Sequence, residues 1–296
     1  MLQIIIIAGG IGKRFWPKSK KDSPKQFITL LDNETLFEKT LKRIATIKSE
    51  KTIWVVGSIQ HKELILKLAK NIPSNQILLE PFQRNTAASI AWAALRINKE
   101  HPDATMFILP ADHRIKNTKG FNETLKQGLS TIKETEKQCI FGITPTRPHT
   151  GYGYIEVKNN TSTQSHITQF HEKPTEEKAV SYCKKGTYYW NSGMFLWTVK
   201  TFLNSLQENM PEHHEILSKT AHLEGDDPRF VDTFKTLKNI SIDIGILEKT
   251  AHKTMMIKAQ FDWNDLGSWH ALHEVSKKDK DGNTSDSPLI TKDSQN

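Results

Sequence analysis

Leu2-Gln3-Ile4-Ile5-Ile6-Ile7-Ala8-Gly9-Gly10-Ile11-Gly12-Lys13-Arg14 decides how the rest of the chain is read. An isoleucine-rich run without polar alternation is a strand covered on both faces, because a half-exposed strand alternates polar and apolar side chains. The glycines that follow make a loop whose backbone can approach a phosphate closely and offer it free N–H groups. Two familiar phosphate loops do not fit. The dinucleotide fingerprint needs a glycine where Phe15 stands, and the Walker loop needs Ser or Thr after its lysine, where Arg14 follows Lys13. The loop carries cations instead: Arg14 within it, and Lys25 in Pro24-Lys25-Gln26 soon after. Fixed positive charges beside a glycine turn are what a triphosphate calls for.

Working outward, helical and extended patterns alternate. A helix is expected over 35–47, with Leu36, Phe37, Thr40, Leu41 and Ile44 on one face. Strands are expected at 52–56, 76–79, 105–109 and 139–143, and helices at 61–70, 86–99 and 121–132, with Asn85 as N-cap of the second. This alternation predicts a parallel sheet with helices on both faces. The second half reads as hairpins and insertions on the same sheet. Strands are expected at 166–170 and within 188–199, the latter after a turn at Asn191-Ser192-Gly193, and at 253–259; helices at 176–183, 199–208 and 242–248.

Composition narrows the class. The chain has 296 residues, a net charge of +8 and two cysteines, Cys139 and Cys183, without CxxC spacing. Reduced thiols and a cytoplasmic location are the expectation. The longest apolar run, Ile4 to Ala8, is far short of the ~18 residues of a membrane helix, so no membrane partner is expected. Basic residues are interleaved with acidic ones, which argues against nucleic acid and for a site that takes small anions.

Two carboxylates stand out. Asp112, in Leu109-Pro110-Ala111-Asp112-His113, falls just past the carboxyl end of a central strand, where open α/β sheets bind ligands. Asp265 lies in Trp263-Asn264-Asp265-Leu266-Gly267-Ser268-Trp269. Either alone also reads as a cap or turn residue; together at one sheet edge they would hold Mg²⁺ against phosphates. His113 is read as structural. Gly151-Tyr152-Gly153, Phe170-His171-Glu172-Lys173-Pro174 and Trp190-Asn191-Ser192-Gly193 place amide, carboxylate and ammonium groups on loops, suited to sugar hydroxyls and a phosphate.

In order along the chain, Gly9-Gly10-x-Gly12-x-Arg14 with Pro24-Lys25, Pro110-Ala111-Asp112, Phe170-x-Glu172-Lys173-Pro174, Asn191-Ser192-Gly193 and Asp265-x-Gly267-Ser268-Trp269 resemble the sugar nucleotidyltransferases. Phe15-Trp16-Pro17, Pro24-Lys25-Gln26-Phe27 and Glu80-Pro81-x-x-Arg84-Asn85-Thr86 resemble the mannose-1-phosphate guanylyltransferases among them. The resemblance implies a Rossmann-like three-layer α/β/α fold with a mixed, mostly parallel sheet, using GTP, mannose 1-phosphate and Mg²⁺. It implies that Arg14 and Lys25 act on the triphosphate, and that Asp112 and Asp265 hold the metal. Gly9, Gly10, Gly12, Glu80, Asn85 and Thr86 would line the nucleotide site. Gly151, Glu172, Lys173, Asn191 and Asp265 would hold the sugar phosphate. Another sugar or nucleotide, or a catalytically inactive subunit that binds sugar nucleotides, stays open. The catalytic domain is expected over 1–276, with 277–296 a short tail. Such a tail is too short for the β-helix through which relatives of this kind dimerise, so a monomer or weak dimer is expected.

Overall fold

The computed structural model describes residues 1–10, 15–280 and 282–285. Among these residues the strands are β1 (Leu2–Ile7), β2 (Lys51–Ser58), β3 (Ile77–Glu80), β4 (Thr105–Pro110), β5 (Gln138–Ile143), β6 (Tyr154–Val157), β7 (Gln164–His171), β8 (Tyr188–Thr198) and β9 (Thr254–Lys258). They form one sheet in the order β3-β2-β1-β4-β8-β5-β9-β7-β6. The helices are α1 (Leu36–Ala45), α2 (Lys62–Leu68), α3 (Asn85–Glu100), α4 (Thr118–Thr135), α5 (Glu176–Lys185), α6 (Val199–Asn209), α7 (Pro211–Thr220), α8 (Pro228–Thr236) and α9 (Trp269–Val275).

The opening strand shows why three layers form. Its side chains alternate between two apolar clusters: Ile4 and Ile6 pack with Phe37 of α1, Ile65 of α2 and Phe121 of α4. Ile5 joins the other cluster, with Trp92 of α3, Phe202 of α6 and Phe230 of α8. A strand buried on both faces needs a helical layer on each side. β1, β2, β3 and β4 pair in parallel. β8 enters antiparallel between β4 and β5, and β7 runs antiparallel to both β9 and β6. The sheet is therefore mixed, with only β7 and β8 running against the other strands.

Four local expectations need correction. Asn85 is not the N-cap of α3: it adopts φ +63, its Oδ1 accepts from the next N–H, of Thr86, and Arg84 takes the cap position. Asn191-Ser192-Gly193 is not a turn before a strand but part of β8. Pairing with β5 jumps from Ile140↔Phe195 to Gly142↔Asn191, so β8 carries two extra residues as a bulge, with Gly193 at φ +68. The helix expected at 242–248 is a π-turn, Asp243–Leu247. Helices α7 and α8, each opened by a proline, were not anticipated; α8 exists because Phe230 and Phe234 pack on Trp92, with Phe230 at a ring separation of 4.4 Å.

Among the described residues, no helix is long and apolar enough to cross a membrane. Both cysteines are free thiols. Past α9 the chain makes a small turn, Gly282 N donating to Asp279 O at 3.2 Å. The rest of the expected tail, 286–296, lies outside the described residues.

Candidate active site

The site forms where β1 and β4 end. Ala8 N donates to Val56 O (2.7 Å) and Ala111 N to Ile7 O (3.0 Å), so both exits leave the sheet under backbone control. Gly10 then turns at φ +129, a conformation open to glycine. The Gln26 amide donates to Ala8 O at 2.7 Å and Gly10 O at 3.1 Å, fastening the mouth of the loop. Around it lies a cavity of about 250 Å³ whose lining includes Gly9, Gly10, Gln26, Thr86, Asp112 and Asp243. Gly12 and Arg14, assigned to the triphosphate by sequence, lie outside the described residues.

Lys25 is buried on the short helix Lys25–Phe27. Its ammonium donates to Asp112 Oδ2 at 2.7 Å and also to the backbone carbonyl of Asp265. Burial pushes the Asp112 carboxyl up, but the Lys25 ammonium, with a smaller contribution from His113, outweighs it and holds the carboxyl below its ordinary range. The two acidic loops are tied by backbone: Arg114 N donates to Asn264 O (2.9 Å) and Asn264 N to Arg114 O (3.1 Å). Asp265 Oδ1 accepts from Tyr152 O–H at 2.8 Å and from Gly267 N at 2.9 Å. Ser268, not Asp265, caps α9.

Burial drives the His113 pKa down to about 4, and its Nδ1 accepts from Trp263 Nε1 at 3.1 Å. A neutral ring committed to an indole is a structural histidine.

The residues present suit Mg²⁺. Asp112 and Asp265 come from segments far apart in sequence and are both half-buried; Lys25 bonds the carboxylate of Asp112 and the backbone carbonyl of Asp265. Among the described residues no third His, Cys, Asp or Glu joins them to make a complete cage. Mg²⁺ commonly uses one or two carboxylates and fills its octahedron with water and phosphate oxygens.

Glu80 ends β3 beneath the glycine loop; a Cβ built on Gly9 would sit 3.6 Å from its Oε2. Ser89 Oγ donates to Glu80 Oε1 at 2.6 Å. Burial lifts the Glu80 carboxyl to about 8, against an ordinary value of 4.5. The folded state therefore binds more protons than the unfolded chain across that window, and stability falls as pH rises through it. Glu80→Gln should remove this penalty. Its stability advantage over wild type is expected to widen by about 1–3 kcal/mol between pH 5 and pH 8. Urea unfolding at the two pH values reads this, and a gap independent of pH rejects it.

The expected sugar residues converge next to this cavity. Asn191 N donates to Gly153 O at 2.8 Å. A Cβ on Gly153 would stand 2.9 Å from Glu172 Oε2, so only glycine leaves that carboxylate its place. Glu172 pairs with Lys173 Nζ at 2.9 Å, and Lys173 is largely exposed. Gly151 does not join this group: its N–H donates to His149 Nδ1 at 3.1 Å, and it serves the turn that presents Tyr152. Asn85 is exposed at the start of α3, whereas Thr86 lines the cavity. Sequence reading missed Asp243, whose Oδ1 accepts from Asn191 Nδ2 at 2.7 Å. The available signal was one acid inside Ile242-Asp243-Ile244-Gly245-Ile246-Leu247, where only an apolar residue should otherwise sit.

The family of nucleotidyl transferases matches residues 3–282. A mannose-1-phosphate guanylyltransferase of Klebsiella pneumoniae is 35% identical over an alignment of 293 positions that covers 96% of this chain and 62% of that protein. The chain spans about three-fifths of the length of the curated relatives it matches first. A crystal structure described as mannose-1-phosphate geranyltransferase, from Thermus thermophilus, superposes with a TM-score of 0.84 at 31% identity, over 95% of this chain and 80% of that one. One described as mannose-6-phosphate isomerase, from Helicobacter pylori, gives 0.72 at 28% identity, over 89% of this chain and 99% of that one.

Proposed function

The chain belongs to the nucleotidyl transferase family, and on that premise we propose that it makes GDP-mannose and pyrophosphate from GTP and mannose 1-phosphate, with Mg²⁺. The observation that carries this is the buried ammonium of Lys25, bonded to Asp112 and to the Asp265 loop, next to Gln26, which ties Ala8 and Gly10 at the glycine turn. It is an arrangement for stabilising phosphate charge rather than for moving protons.

An oxygen of the sugar phosphate attacks the α-phosphorus of GTP; the new P–O bond forms as the α–β bridge breaks, and pyrophosphate leaves with that bond's electrons. A phosphate monoester has a second pKa of ~6, so the nucleophile is already dianionic at neutral pH and needs no base. His113, neutral and bonded to Trp263, fits that absence of a base. The obstacle is bringing two anions together and stabilising the leaving group. Lys25 faces that charge, and Arg14 of the glycine loop is proposed to join it. Mg²⁺ held by Asp112 and Asp265 would neutralise phosphate oxygens. Gly9, Gly10 and Thr86 line the nucleotide cavity with Glu80 beneath Gly9, while Glu172 and Lys173, beside Asn191, serve the sugar phosphate.

Pyrophosphate release from each nucleoside triphosphate against a panel of sugar 1-phosphates tests this. GTP with mannose 1-phosphate is expected to lead in kcat/KM by about tenfold or more. UTP or dTTP leading by that margin, or isomerisation of mannose 6-phosphate without pyrophosphate release, would overturn it.

A further inference from the structure

We propose that Asp243 reads the acceptor sugar: its carboxylate accepts a hydrogen bond from one sugar hydroxyl and sets which sugar 1-phosphate is used, while Asn191 positions it. This rests on the function proposed above and adds a substrate-contacting residue to it.

The first observation is placement. Asp243 lines the same cavity as Gly9, Gly10, Asp112 and Gly193. It reaches the cavity because the backbone there is a π-turn, with Glu248 N donating to Asp243 O at 2.9 Å, five residues back. An inserted residue of this kind swings one side chain off the regular helical path, and such turns gather at functional sites. The turn is pinned from the nucleotide side, Ile242 N donating to Thr86 Oγ1 at 2.9 Å.

The second observation is what surrounds the carboxyl. Ile7, Ile90, Ile108, Phe195 and Ile242 share the cavity wall. Among the described residues no Lys, Arg or His forms an ion pair with Asp243, and Asn191 is its side-chain hydrogen-bond partner. A charge in an apolar wall without a cation costs stability, and an apolar side chain would fill the position at less cost. Burial pushes the carboxyl up to about 6 and nearby Glu172 adds to this, partly offset by the Asn191 bond; the hydrogen bond from Asn191 shows a carboxyl oxygen in the accepting role. Asn191 is committed at both ends, its Oδ1 accepting from Gly193 N at 2.8 Å and its Nδ2 donating to Asp243. The bulge of β8 supplies that geometry, so Asn191 aims Asp243 into the cavity. A lone acceptor in an apolar wall fits a polyol hydroxyl. It does not fit a phosphate, which it would repel.

Monodeoxy analogues of the best sugar 1-phosphate, at each hydroxyl in turn, test this in kcat/KM. Wild type should lose at least about a hundredfold on one analogue, because a site built around a hydroxyl rejects its absence strongly. In Asp243→Ala that penalty should shrink to less than about threefold, while penalties at other positions and the KM for GTP change little. Asp243→Asn keeps an oxygen for Asn191 to bond. If the alanine variant does not fold, the asparagine variant decides, with the penalty expected to fall at least about tenfold. A variant that lowers all analogues alike marks a structural residue and overturns the proposal. A loss confined to GTP against 2′-deoxy-GTP moves Asp243 to the ribose and also overturns it. Wild type inert with every sugar 1-phosphate sinks the functional reading itself; wild type active with an unchanged deoxy profile in the variants sinks this inference alone.

Discussion

Asp112→Ala is expected to lower kcat by roughly 10³-fold with GTP, mannose 1-phosphate and saturating Mg²⁺. The carboxylate leaves the sheet at the end of β4 and is held ionised by Lys25 at 2.7 Å. Its removal would delete one of two proposed metal ligands. It would also leave a nearly buried ammonium, with 9% of its side chain exposed, facing a backbone carbonyl alone. These consequences separate experimentally. Loss of the metal ligand raises the Mg²⁺ concentration needed for nucleotide binding, measurable by calorimetry without turnover. Loss of the ion pair lowers stability to urea. Asp112→Asn retains an oxygen for Lys25 and should restore much of the stability but little of the rate. Unchanged turnover in folded Asp112→Ala rejects the metal assignment.

Lys25→Met should cost about 10²–10³-fold in kcat, with the KM for mannose 1-phosphate changed less than about threefold. Methionine keeps the length and apolar stem while deleting the charge. Negative charge on the pyrophosphate develops only as the bridge bond breaks, so a group aimed at it shows in kcat. Lys25→Arg is not expected to rescue: a planar fork does not replace a point charge seated between Asp112 and a carbonyl. An effect on KM alone would assign Lys25 to ground-state binding. The same substitution removes the side-chain tie to the 265 loop, so a companion measurement of stability is needed to set the kinetic result in proportion.

The first half of the fold was legible because double burial leaves a plain trace. β1 and β4 are continuous apolar runs, and α1 begins at Thr35 with a capping box closed by Glu38. Motif order brought the right segments to one place: Lys25 bonds the Asp112 carboxylate and the Asp265 backbone carbonyl, and Gly153, Glu172 and Asn191 lie together. What stayed hidden depends on partners distant in sequence. The bulge at Asn191 exists only against β5, and Ser-Gly beside an Asn reads locally as a turn. Asn85 has the chemistry of an N-cap yet takes a left-handed conformation, which asparagine tolerates. Asp243 was passed over because hydrophobic periodicity labels a π-turn as helix and says nothing about where its one acid points. Gly151, which the resemblance implies for the sugar, bonds His149 through its N–H, and its neighbour Tyr152 reaches Asp265.

The reciprocal backbone bonds between Arg114 and Asn264 have a consequence for how the molecule comes into being. Main-chain pairing does not depend on side-chain identity, so the spacing between Asp112 and Asp265 is a property of the chain's path rather than of residues 114 and 264 themselves. That path closes late. During synthesis β1, β4 and the glycine turn leave the ribosome well before β9 and the loop that follows it. Until the later segment docks, Lys25 lacks the carbonyl of Asp265 as a partner. A chain ending before residue 265 would carry Lys25 and Asp112 and lack Asp265. Assembly of the two halves is thus a closure over a long loop, slow relative to the local helices that precede it.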